Sequence, residues 1–114
     1  MQPDDFLLID ILVAAQDAIS FVEGMSRDQF LDDRKTQSAV LHSLQIIGEA
    51  ASNVSDARRA SMTDIPWSEM TGMRHRLVHD YRNVNLNIAW DVVTEDLPRL
   101  LETLDPYTPP DQGQ

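Results

Sequence analysis

A chain of 114 residues with 42% hydrophobic and 25% charged side chains is long enough for one packed core, too short for two, and too apolar for a disordered polymer. Nineteen Asp and Glu against nine Lys and Arg give a formal charge of −10, which repels nucleic-acid phosphates from the molecule as a whole and confines any contact with them to a local patch. With no cysteine there is neither a disulfide framework nor a thiolate metal site, and a cytoplasmic setting is the expectation.

The opening "MQPDDFLLIDILVAA" carries aspartates where an export signal would be basic, and Asp10 interrupts its apolar run well short of a membrane span. Helical spacing runs through Leu8, Leu12, Ala15, Ile19 and Val22, and again through Leu7, Ile11, Ala14, Ala18 and Phe21. A first helix is therefore predicted from Pro3 and Asp4 to Gly24, with two apolar faces. The second face suits either self-association or burial at the centre of the fold. "SRDQ" at Ser26 to Gln29 has the spacing of a capping box, after which Asp32 and Asp33 open the next helix. From Lys35 to Val54 the residues Val40, Leu44, Ile47, Ala51 and Val54 predict a second long amphipathic helix with Glu49 in its middle.

"SDARRASMTDIP" reads as a connector holding a turn of helix. Pro66 stands at the natural first position of a third helix, "PWSEMTGMRHRLVHDY", which Asn83 to Asn85 interrupt. On a last helix Trp90, Val93, Leu97, Leu100 and Leu104 share a stripe. Pro98 lies within it and cannot donate to the Thr94 carbonyl, so a bend is expected there. Residues 106–114 are Pro-rich and polar, a flexible tail to a single domain over residues 1–105. No window alternates with period two, so the fold class is all-α, an antiparallel bundle of four or five helices.

The chemistry concentrates in "GMRHRLVHDYRNV". Residues Met73 to Arg82 hold three of the nine basic side chains, two of the three histidines and a single acid. On a continuous helix His75, His79 and Arg82 would fall on one face and Arg74 and Tyr81 on another, with Arg74 and His79 separated by about 140°. One copy is then poorly arranged to aim both at one atom, and a second copy would mend this. The bland alternative is a set of solvated arginines balancing acids on neighbouring helices, with partly buried histidines beside them.

"IPWSEMTGMRHRLVHDYRNVN", followed by "W" and "LPRL", resembles the HepT-like branch of the HEPN domains, whose signature joins an Arg to a His in a His-x-Tyr extension. Here those residues are Arg74, His79 and Tyr81. "DDRKTQSAVLHSLQIIGEAA" is similar to the same family's second-helix segment, so the resemblance spans residues 4 to 104. His75 stands where Asn is commoner, and "VN" at Val84 and Asn85 replaces the usual "VD". The resemblance implies a dimeric HEPN-type bundle and a metal-independent endoribonuclease without cofactor, the toxin of a toxin–antitoxin pair, acting on RNA. His79 would be the acid/base and Arg74 the phosphate clamp, with His75, Arg82 and Glu49 in support. It also implies a cognate minimal nucleotidyltransferase that silences the toxin by transferring AMP to Tyr81.

Three readings compete. The patch could bind a nucleotide or the nucleotidyltransferase without cutting anything. His75 and His79 could share a metal at i, i+4, although no third ligand is suitably spaced. A structural helical partner would leave the cluster unexplained. His42, alone on the second helix, reads as structural.

Overall fold

A computed structural model describes residues 2–78 and 83–107 of the chain. Apart from one antiparallel bridge between Val78 and Val84, regular structure among the described residues is helical, as the missing period-two signal predicts.

Helix α1 spans Pro3–Phe21. Pro3 occupies the first turn, where its missing N–H costs nothing, and Asp5 accepts from the Gln2 N–H at 2.9 Å. The helix stops where Gly24 takes φ +79°, a left-handed conformation that residues with a Cβ resist. Ser26 then caps α2, Arg27–Leu31, through the predicted box: its Oγ accepts from the Gln29 N–H at 3.2 Å while its own N–H donates to Gln29 Oε1 at 2.8 Å. Asp33 caps α3, Arg34–Asn53, accepting from the backbone and hydroxyl of Thr36 at 3.1 and 2.9 Å.

The connector contains α4, Asp56–Ser61, capped by Ser55. Ser55 is itself gripped by Asp4, whose carboxylate accepts from its N–H at 3.0 Å and its hydroxyl at 2.6 Å. That contact sets the start of α1 beside the end of α3 and makes the two antiparallel. The third rod is broken. Helices α5, Trp67–Thr71, and α6, Met73–Leu77, meet at Gly72. Val78 then turns extended, with φ −87° and ψ 110°, and Asn85 N–H donates to Leu77 O at 2.6 Å. A continuous helix over 66–81 is thus corrected: it ends at Leu77, and the face relations drawn through residues 79 and 82 lapse with it.

The last rod runs through α7, Leu86–Asp91, a π turn over Val92–Asp96, and α8, Leu97–Leu104, with a 3₁₀ turn at Asp105–Tyr107. The irregularity expected at Pro98 lies one turn earlier, where the ladder widens before the residue that cannot donate. Arg27 of α2 reaches Asn87 and Asp91, so this rod begins at the C-terminal end of α1 and runs back alongside it.

α1, α3, the α5–α6 rod and residues 86–104 form the bundle. Leu8, Ile11, Leu44, Ile47, Val92 and Leu97 are among the side chains sealed at its centre, and Phe30 of α2 closes one end against Trp90, with ring centroids 5.5 Å apart. On α1 the two apolar stripes resolve into one broad buried face, Leu8, Ile11, Ala14, Ala15, Ala18 and Val22, while Phe6 and Val13 are left 56% and 46% exposed on the opposite side.

Gly48 brings α3 against the third rod. A Cβ there would sit 3.3 Å from the Met70 carbonyl oxygen and 3.5 Å from Met73 Cβ. Gly48→Val is expected to cost about 1–3 kcal/mol by forcing the rods apart, read as a lower midpoint in urea unfolding. Asp4 is held below the ordinary value of 3.8 by Ser55, Asp5 by the Gln2 N–H and then Arg58, and Asp33 by Thr36. Their contribution is complete above that value and fades as pH drops through the lower folded values. Stability should therefore fall on acidification below pH 3.8, and an Asp4→Asn, Asp33→Asn double variant should show a shallower fall.

Candidate functional site

Between α3 and the α5–α6 rod lies a half-open groove of about 640 Å³. Its floor is apolar, made by Leu41, Leu44, Met73 and Leu77, with Val78 and Val84 at the rim 37% and 39% exposed. Arg74 stands on one wall. Gln45, Glu49, Ser52 and Asn53 stand on the other.

The local sequence explains this placement. Met73 and Leu77, four apart, turn into the core and fix α6, which sends Arg74 outward. On α3, Leu44, Ile47 and Ala51 face the core, so Gln45, Glu49 and Asn53, each four apart, form a polar edge beside it. Gly48, lacking a side chain, lets the two walls approach.

Arg74 is exposed and has no ion pair or hydrogen bond among the described residues. In this chain that distinguishes it from Arg27, Arg58, Arg59 and Arg76, each bound to an aspartate at 2.6 to 3.3 Å. Glu49, an exposed residue of α3, lines the groove yet does not pair with Arg74: its Oε1 accepts from Gln45 Nε2 at 3.1 Å. A guanidinium without a partner among the described residues and a carboxylate thus share one hollow. Such a pair suits a ligand that offers an anion at one end and N–H donors at the other.

His75 is exposed and does not line this groove, so the structure does not bring it to Arg74's ligand space. His42 is exposed on α3. His79, Tyr81 and Arg82 lie outside the described residues. Arg76, read from sequence as a member of one basic cluster, turns the other way and bonds Asp96 of the π turn at 3.3 Å. The two form part of a smaller hollow of about 190 Å³ on the far side of Met73, lined also by Asp64, Glu69 and Arg99. There Tyr107 donates to Asp64 at 2.7 Å, and the carboxylate lifts the phenol above its ordinary range.

Among the described residues no group of three or more His, Asp or Glu is gathered for a metal ion, and no helix is long and apolar enough to cross a membrane. The residues that sequence reasoning missed are Gln45, Ser52 and Asn53; their spacing on α3 was the available signal, and it reads equally well as a solvated face.

A model of the family described as "Ribonuclease HepT-like" matches residues 11–106. A protein of Thermococcus cleftensis named "Probable ribonuclease HepT" is 40% identical over 95 residues, covering 80% of this chain and 86% of its own. The Methanocaldococcus jannaschii protein named "Putative RNase MJ0127" is 38% identical over 98 residues, covering 86% and 81%. No solved structure matches the chain.

Arg76 and Asp96 are both partly exposed, with side chains 34% and 41% accessible. Arg76→Ala should therefore lower the unfolding free energy by no more than about 1 kcal/mol, whereas Leu44→Ala in the sealed core should cost about 2–5 kcal/mol, both measured by urea unfolding.

Proposed function

Since the chain belongs to the family of HepT-like ribonucleases, we propose that it is a metal-independent endoribonuclease whose site is the Arg74 groove completed by His79. The observation that carries this reading is Arg74 itself. In a chain of net charge −10 its guanidinium stands in a groove with no internal partner among the described residues, free to take a phosphate.

The chemistry needs two services. The ribose 2′-hydroxyl attacks the adjacent phosphorus, the P–O5′ bond breaks, and one proton leaves the 2′-oxygen while another reaches the departing 5′-oxygen. Imidazole, with an ordinary pKa of about 6.5, moves protons near neutral pH, and that role goes to His79. As charge gathers on the phosphoryl oxygens, a fixed fork of N–H donors stabilises them, and that role goes to Arg74. Arg82 and, from outside the groove, His75 are given supporting contacts to the RNA.

The protein acts as a two-fold dimer, and the exposed Val78 and Val84 beside Arg74 support this: apolar groove rims are better covered than wet. The family reading also makes it the toxin of a pair whose minimal nucleotidyltransferase transfers AMP to Tyr81. An added phosphodiester near Arg74 would occupy the clamp, and the adenosine would fill the groove.

The test compares purified wild type, Arg74→Ala, His79→Ala and Arg76→Ala on single-stranded RNA in the presence of a chelator. Arg74→Ala is expected to lose about 10²–10³ in rate, and His79→Ala about 10²–10⁴. Arg76→Ala, whose side chain serves Asp96, stays near wild type. Retained RNA binding with no cleavage by any of the four proteins would leave a binding module in place of the nuclease.

A further inference from the structure

The α3 wall of the groove has a feature that phosphate binding does not use. Its hydrogen-bond donors are turned onto their own helix: Gln45 Nε2 serves Glu49 Oε1 at 3.1 Å, Asn53 Nδ2 serves the Glu49 carbonyl at 3.0 Å, and Ser52 Oγ serves the Gly48 carbonyl at 2.9 Å. Glu49 Oε2, Gln45 Oε1 and Asn53 Oδ1 have no donor among the described residues, so what the wall offers is oxygen. A carboxylate beside an RNA phosphate is a cost unless the ligand repays it with N–H groups, and it therefore discriminates.

Resting on the ribonuclease reading above, we infer that Glu49 selects guanine: the groove takes a single-stranded guanylate unit, with its phosphate on Arg74 and its N1–H and N2–H donated to the Glu49 carboxylate. Guanine has two adjacent donors on its pairing edge, which match the two oxygens of one carboxylate. Adenine and cytosine set a ring-nitrogen acceptor beside their amino group, and uracil flanks its one N–H with carbonyl oxygens. Each of these would push an acceptor against Glu49. The apolar floor of Leu41, Leu44 and Leu77 suits the face of a base, and about 640 Å³ lies within the range of sites that enclose small ligands. The neighbouring Gln45 holds the carboxylate in place, which makes Gln45 a positioning residue.

The experiment measures binding apart from cleavage. Fluorescent oligouridylates made uncleavable by 2′-O-methylation, each carrying one central guanine, inosine, adenine or cytosine, are titrated against the full chain by anisotropy. A good bidentate pair discriminates by about 1–3 kcal/mol, so guanine is expected to bind roughly 10- to 100-fold tighter than adenine or cytosine. Inosine, which keeps N1–H and lacks the amino group, falls between. Glu49→Gln, which exchanges one acceptor for a donor at the same size on an exposed position, should erase the order and bind the all-uridine oligomer no more weakly than wild type does, and Arg74→Ala should weaken every oligomer alike.

Equal or undetectable affinity of wild type for all four bases overturns the proposal, as does a guanine preference that survives in Glu49→Gln. Cleavable RNA run alongside separates the two readings. Cutting without regard to base sinks the guanine site alone, and guanine-selective binding with no cutting sinks the nuclease alone.

Discussion

The placement of the groove depends on the approach of α3 to the third rod at Gly48. With 3.3 Å between a notional Cβ and the Met70 carbonyl oxygen, even a methyl group would press the rods apart by a few tenths of an ångström. Their separation decides whether Arg74 and Glu49 share one hollow or face separate patches of solvent. Packing, in this molecule, is what turns two side chains 25 positions apart in sequence into one site.

Charge is distributed to the same end. Four arginines are consumed by aspartates, tying α2 to α7, α4 to the start of α1, and α6 to the π turn. These pairs leave the net charge at −10, while Arg74, between Met73 and Leu77 that look inward, has no such partner among the described residues. Neighbours in sequence, Arg74 and Arg76 are not neighbours in function: alternate residues on a helix lie about 200° apart, which sends them to opposite sides of Met73.

Much of the bundle is legible in the sequence because its signals are local. The Ser26–Gln29 box, the Asp33 cap and the Gly24 stop are settled within a few residues, and Leu44, Ile47, Leu97 and Leu104 announce their burial by spacing alone. α1 is less readable, since a helix apolar nearly all round gives no direction, and only packing shows that Phe6 and Val13 face out. The end of the third rod was read too late. "MRHRLVHDY" has no breaker after Gly72, and what unwinds it is Val84 and Asn85 meeting Val78 and Leu77 from the other side. For the site, Arg74 was marked by its chemistry, and Glu49 by its place in the middle of α3. Gln45 and Asn53 were not, because a polar edge facing a groove and one facing water look the same in one sequence.

The π turn at Val92–Asp96 amounts to one residue more than a regular helix would use. Its Leu97 N–H reaches back five residues to the Val92 carbonyl, and Val92, Val93, Leu97, Leu100 and Leu104 all stay on the buried face across it. The wider turn is thus accommodated just ahead of Pro98 without turning that stripe to solvent, so the rod meets α1 with one continuous apolar face.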